Sequence, residues 1–149
     1  MKYLRLLALT AVMLLMTAGC TAGRPFVLEA AGPFVYPAVV GPAFDRVAIL
    51  VSVANHSGDD LQVNPADFIA RDKQRRVYAA SPTATVADAR IAGQSPALRG
   101  VPPLPTITLR SDDVLTGFIV FEVPTGTSPT ELVWRQSDTD VVAVLRPNR

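Results

Sequence analysis

The 149-residue sequence holds one cysteine and one histidine. One Cys cannot close an internal disulfide, and one His cannot build a multi-histidine metal site. All three methionines fall within the first sixteen residues, so the rest of the chain has no Met/His set for carrying copper. Charged residues make up 18% and the net charge is +1, leaving no basic excess to hold phosphates; this argues against a nucleic-acid partner. No apolar run reaches the roughly 20 residues that a membrane-spanning helix needs. Disorder is excluded by the 49% apolar content and the small net charge. The length suits one domain, and there is no internal repeat.

The N-terminus carries an export signal. Lys2 and Arg5 precede an apolar stretch, Leu6–Met16, broken only by Thr10, and small residues then lead to Cys20. A basic start, a short apolar middle and a small-residue end make a secretory signal peptide. Met16-Thr17-Ala18-Gly19-Cys20 resembles a bacterial lipobox, with Thr17 where Leu is usual. The resemblance implies cleavage before Cys20 and attachment of diacylglycerol to its thiol. Residues 1–19 are thus expected to be removed and the mature protein to be held at a membrane, facing the periplasm or the cell exterior. Losing Lys2 and Arg5 leaves twelve basic against thirteen acidic side chains.

Residues 20–44 hold Pro25, Pro33, Pro37 and Pro42 with Gly23, Gly32 and Gly41, which reads as an extended tether, with room for a short edge strand near Phe34–Val40. From Asp45 the pattern changes. Val47, Ile49, Val51 and Val53 alternate with smaller or more polar residues, the period of a strand with one face on a core. Asn55–Asp60 is a turn cluster, and Leu61 and Val63 resume the alternation until Pro65 interrupts it before Phe68 and Ile69. Further strands are expected at Arg76–Ala79, Thr106–Arg110, Leu115–Val123, Glu131–Arg135 and Val141–Leu145. Ser81–Pro105 contains five prolines and no strand pattern; Thr83–Ile91 has room for one or two helical turns behind a Thr cap. About seven short strands separated by turn signals predict an all-β, antiparallel sandwich over residues 45–149.

Several segments also resemble a widespread, largely uncharacterised family of bacterial secreted and lipoprotein domains with an immunoglobulin-like sandwich. They are Val51-Ser52-Val53-Ala54-Asn55-His56-Ser57-Gly58, Val63-Asn64-Pro65-Ala66-Asp67-Phe68, Arg76-Val77-Tyr78, Gly117–Pro124 and Leu132-Val133-Trp134. Ser111-Asp112-Asp113 departs from the Pro-Gly turn and acidic residue usual there. The resemblance implies an immunoglobulin-like fold and an exported location; it implies no activity.

Few residues offer chemistry. His56 sits in a polar turn without a Gly-x-Ser-x-Gly partner motif, and solvation is its expected role. Asp59/Asp60, Asp112/Asp113 and Asp138/Asp140 are paired at turns, yet no loop has the alternating calcium-binding pattern. If strands alternate up and down, Asp59/Asp60 lie at one end. Asp112/Asp113 and Asp138/Asp140 then lie at the other, with Lys73, Arg75 and Arg76. The cluster Arg71, Lys73, Arg75 and Arg76 reads as a solvated hairpin tip. Phe118 and Phe121 have opposite parity, so one of them is expected to be partly exposed. The same alternation gathers Ser81–Pro105, Asn55–Asp60 and Pro124–Pro129 into one face. Arg90, Ile91, Leu98 and Arg99 are its candidate binding residues. No metal or cofactor is expected. The expected function is non-catalytic: binding of a protein or envelope component, or a structural role, at the membrane. The alternatives are a hydrolase using turn carboxylates and an assembly or inhibitor protein that adds its edge strand to a partner.

Overall fold

A strand whose alternate residues are all β-branched must find a core for one face. In β2 (Phe44–Asn55), Val47, Ile49, Val51 and Val53 are all fully buried. The computed structural model of the chain describes residues 25–36, 43–137 and 139–146; the export signal, Cys20, parts of the expected tether and Asp138 lie outside them. β2 pairs with β7 (Val114–Pro124) in an unbroken antiparallel register, from Phe44↔Pro124 to Ala54↔Val114. Its other side pairs with β1 (Phe26–Val35), giving the order β1-β2-β7.

The second sheet runs β5 (Val77–Ala79), β4 (Phe68–Arg71), β8 (Glu131–Arg135), β9 (Asp140–Val144). A short pair, β3 (Leu61–Val63) with β6 (Ile107–Leu109), completes the fold. All strand pairs are antiparallel. Between the sheets, Val47, Ile49, Val51, Val53, Ile119, Phe121 and Val123 meet Phe68, Leu132 and Trp134. Trp134 stacks on Phe68 with ring centroids 5.4 Å apart and takes the Phe26 ring edge-on at 5.3 Å. The fold is the expected all-β antiparallel sandwich, with nine strands among the described residues where about seven were expected.

One added strand is β1. The expected tether becomes a ten-residue strand, because Phe26, Leu28 and Ala30 pack half-buried against the core at period two. Gly32 and Pro33 do not break it: they fall where the register shifts between Ala31 and Phe34, on an edge where Pro is tolerated. Gly32 has φ 121°, which side-chain-bearing residues rarely adopt. Pro65 supplies the other addition. Asn64 caps a 3-10 turn over Pro65–Asp67 by accepting the Ala66 N–H at 3.0 Å, and the turn carries the chain from β3 to β4.

Ser81–Pro105 is not an end loop. It leaves β5 alongside β7, where Ser81 N donates to Val120 O at 2.8 Å, and returns where Leu104 N donates to Phe118 O at 2.9 Å. Between these points lie α1 (Pro82–Ala87), α2 (Ala89–Ala92) and a 3-10 turn at Pro96–Leu98. Ser81, not a threonine, caps α1. The segment is a strap across the outer face of the first sheet, burying Ala84, Ala92 and Leu98 against Ala48, Phe118 and Val120. Neither Phe118 nor Phe121 is exposed, because the strap supplies a second apolar layer for the outward parity.

The strap also overturns the expected assignment of ends. It lets the chain go from β5 to β6 without reversing, so the up-and-down count fails beyond it. Asp112 N bonds Asn55 O at 2.7 Å and Asn55 N bonds Asp113 O at 3.0 Å, placing Asp112/Asp113 at the same end as Asp59/Asp60. Pro124–Pro129 lies at the opposite end beside the Arg71–Arg76 turn, where Thr130 N bonds Arg71 O at 2.7 Å. The expected contiguous face of three loops does not form.

Phe121 is fully buried with Ile119 and Val123 on the core face. Phe121→Ala should destabilise the domain by about 3–5 kcal/mol. Denaturant unfolding measures this, and a loss under about 1 kcal/mol would contradict the packing.

Candidate functional site

The strap is held by polar contacts as well as apolar ones. Thr85 Oγ1 accepts the buried Val120 N–H at 2.9 Å, so a strap side chain occupies the outer edge of β7. Asp88, buried at the junction of α1 and α2, accepts from Tyr36 Oη at 2.8 Å and Arg46 Nη1 at 2.7 Å. Arg46 also grips Glu122 through Nε and Nη2 at 3.1 and 2.9 Å. Burial, reinforced by the hydrogen bond to Asp88, pushes the Tyr36 phenol far above its usual range. Sequence reasoning does not find this clamp, because Tyr36 and Asp88 are 52 residues apart.

Of the four candidate binding residues, Leu98 is fully buried and cannot meet a partner; it fills the layer over Phe118. Ile91 is half-buried in the same layer. Arg90 and Arg99 are exposed on the strap's outer side. The structure therefore does not gather the four into one surface. Cys20 lies outside the described residues.

At the end bearing the acidic turns, Asn55 is the organiser. Its buried side chain donates to Asp59 O at 2.9 Å and Leu109 O at 3.0 Å, and its Oδ1 accepts the Ser57 N–H at 3.0 Å. Ser57 Oγ lies 2.6 Å from Asn55 Oδ1 and 2.8 Å from Asp59 O, so its proton stays within the turn. His56 is exposed, and its backbone N–H ties the turn to Pro25 O at 2.8 Å. Among the described residues, no three or more His, Cys, Asp or Glu side chains converge as a metal site.

The basic turn at the opposite end is built around Asp72. Its Oδ1 accepts the N–H groups of Gln74 and Arg76 at 2.9 and 3.0 Å, and its Oδ2 accepts from Arg76 Nε at 2.6 Å and Tyr78 Oη at 2.8 Å. Arg75 reaches Glu131 at 3.8 Å and Arg71 reaches Asp140 at 3.6 Å. Three of the four basic side chains thus have carboxylate partners.

A concavity lies on one flank of the sandwich, between the start of β1 and the β8–β9 hairpin. It encloses about 670 Å³ and is lined by Pro25, Phe26, Gln136, Thr139, Asp140 and Val142, among others. Phe26 and the valines form an apolar floor, and Gln136, Ser137, Thr139 and Asp140 a polar rim. Such a trough can seat an extended chain or a small apolar group, with the edge of β9 alongside it. Phe26, which opens the alternation Phe26-Leu28-Ala30, is the sequence signal that could have pointed to its floor.

The family described as a domain of unknown function, DUF4352, matches residues 44–141. The chain belongs to the DUF4352 family. Curated proteins provide no match. Among solved structures, the secreted protein MPT63 from Mycobacterium tuberculosis is 19% identical, with 81% of this chain and 78% of that one covered and a TM-score of 0.47. The yjhA protein of Bacillus subtilis is 19% identical over 81% of this chain and 90% of its own, with a TM-score of 0.49. The ycdA protein of Bacillus subtilis is 15% identical over 78% of this chain at a TM-score of 0.48, and this chain spans a third of its length (33%). The matched span of the DUF4352 domain holds the strap and the acidic turns but not β1, so one wall of the flank trough lies outside it.

Leu98→Ala should cost the DUF4352 domain about 2–5 kcal/mol, since it opens a cavity under the strap. Arg90→Ala and Arg99→Ala should each stay within about 0.5 kcal/mol. Equal effects in thermal or chemical unfolding would contradict the strap's role. A second expectation concerns acid. Burial favours the neutral form of Asp72, but hydrogen bonds from Tyr78 and Arg76 outweigh it and hold the carboxyl below its usual range. A carboxyl lowered on folding contributes stability above its unfolded value, about 4, and loses it as pH falls through the folded value. Asp72→Asn should therefore lower stability at neutral pH and flatten its decline below about pH 4. Parallel declines for the two proteins across a pH series of unfolding midpoints would refute this.

Proposed function

We propose that the protein is an exported lipoprotein, anchored through Cys20 and facing the periplasm or cell exterior. In this reading its DUF4352 domain acts without catalysis, binding a protein or envelope component at the membrane surface through the flank trough and the neighbouring sheet edge. The carrying observation is that the single cysteine stands at the lipobox position, directly after the apolar segment. The spacing supports the same reading. The step from Cys20 to Phe26, where β1 begins, spans at most roughly 20 Å of extended chain, so an anchored domain is held close to the bilayer with the trough on the nearby flank.

Several polar groups that could do chemistry are committed to the fold, which supports a binding role. Ser57 Oγ is engaged within its own turn, Asp72 and Asp88 each hold several donors, and Asp45 Oδ2 accepts the Gly126 N–H at 3.1 Å.

The anchor is tested by Cys20→Ser. The native mature chain should carry an acyl mass and sediment with membranes, whereas the Ser variant should be soluble or remain uncleaved. A native chain without acyl mass, or a Ser variant that stays membrane-bound at the mature size, would refute the anchor.

A further inference from the structure

We propose that two copies of this chain associate edge to edge through β9, antiparallel and centred on Val142, so that their four-stranded sheets become one. This names a second copy as the occupant of the sheet edge in the anchored-binder reading, and its test does not depend on the lipid anchor. The starting point is how the sheet edges are protected. The edge of β7 is occupied by the strap, β1 carries the Gly32-Pro33 bulge, and β5 is only three residues long. β9 is the outermost strand of its sheet and has five residues, Asp140-Val141-Val142-Ala143-Val144. It contains no proline, lysine or bulge, the usual devices that keep an edge from pairing. Its outward valines are strongly exposed, Val142 at 45% and Val144 at 70%.

Hydrogen-bond parity sets the register. Leu145 N donates to Thr130 O at 2.8 Å and Gln136 N to Thr139 O at 3.2 Å. Odd-numbered residues of β9 therefore bond to β8, and Asp140, Val142 and Val144 direct their backbone groups to the outer side, where no strand pairs with them among the described residues. A two-fold axis at Val142 pairs Val142 with its counterpart and Asp140 with Val144 of the second copy. Each of these pairs can exchange two N–H···O bonds, because all of its members have the outward parity. The side chains agree. Val142 meets Val142, Val144 packs beside the Asp140 stem, and exposed Arg146 comes diagonal to Asp140 of the second copy. The strand's acidic start thus meets its basic end twice, and a parallel pairing would lose that complementarity. An interface of one short strand falls below the roughly 1,200 Å² of a stable complex, so the association is weak and favoured by high local concentration.

Covalent trapping reads such a register directly. In a Cys20→Ser chain, an introduced cysteine is the only thiol present. Facing residues of a hydrogen-bonded antiparallel pair have Cα atoms about 5.5 Å apart, within disulfide reach. Val142→Cys should therefore give a species of doubled mass on mild oxidation at high protein concentration, reversed by reductant. Val144→Cys should not, since its counterpart is displaced by four residues, about 13 Å along the strand. Val142→Cys with Val144→Pro, which removes an outward N–H and leaves the bonds to β8 intact, should lose most of the cross-link. Absence of the Val142→Cys dimer, or equal cross-linking at both positions, overturns the proposal; absence would leave the edge to an extended segment of another protein. Because Cys20 is replaced throughout, the outcome does not depend on lipid attachment.

Discussion

The structure depends on burying both faces of β7. Phe118, Ile119, Val120 and Phe121 are consecutive and all fully buried. Successive residues of a strand point to opposite faces, so such a run needs an apolar layer on each side. The second sheet covers Ile119 and Phe121; the strap covers Phe118 and Val120. Gly117 makes the second contact possible. A Cβ there would lie 2.7 Å from Leu104 Cα and 2.8 Å from Leu104 N, so any side chain would push the returning strap off the sheet. The domain thus gains a layer of core without a third sheet, which matters in a chain with one cysteine.

The strap's helices are too short to persist alone. α1 has six residues and α2 four, well under the length at which isolated helices form in water. Their order comes from contacts with the sheet, and Asp88 is the polar part of that attachment. A buried carboxylate is costly unless paired, and here a phenol and a guanidinium pair it. Removing Arg46 would leave the carboxylate without a countercharge beneath the strap, and removing Tyr36 would take away its second donor, so the three groups act as a unit. Tyr36 and Arg46 come from the first sheet's side of the molecule and Asp88 from the strap, so the clamp joins the layers where helix propensity cannot.

How much of this was legible in the sequence follows from which interactions are local. The alternation Val47-Ile49-Val51-Val53 and the turn cluster after it revealed β2 and its hairpin, because strand period and turn chemistry are near-neighbour properties. The inward parity of Phe121 was legible for the same reason. Phe118 was not, since its burial is decided by a segment of different sequence folding back over it. The tether reading of residues 20–44 gave proline and glycine their usual weight as breakers. On an edge strand with a bulge that weight is small, and the half-buried Phe26, Leu28 and Ala30 prevail. The misassigned ends share a cause with the misplaced Leu98. Both readings took Ser81–Pro105 for a loop at one end, whereas it crosses a face. A proline-rich segment without strand periodicity fits both paths; only its contacts distinguish them.

The strap also explains why the molecule's two flanks differ. On the β5–β7 flank, Ala80 bridges to Phe121 and the strap follows directly, so the sheets are closed to each other by covalent chain. β1 runs beside β9 without pairing to it among the described residues, and a trough of about 670 Å³ lies where β1 begins, against the β8–β9 hairpin. Trp134 and Phe26 seal the core behind that opening by their edge-to-face contact. Aromatic bulk in this position allows the flank to stay open without admitting water to the core, as Trp134 remains fully buried. An open flank with an intact core can be met by another chain without unfolding either sheet. The same opening lies beside the point where β1 begins, so the start of that strand forms one of its walls.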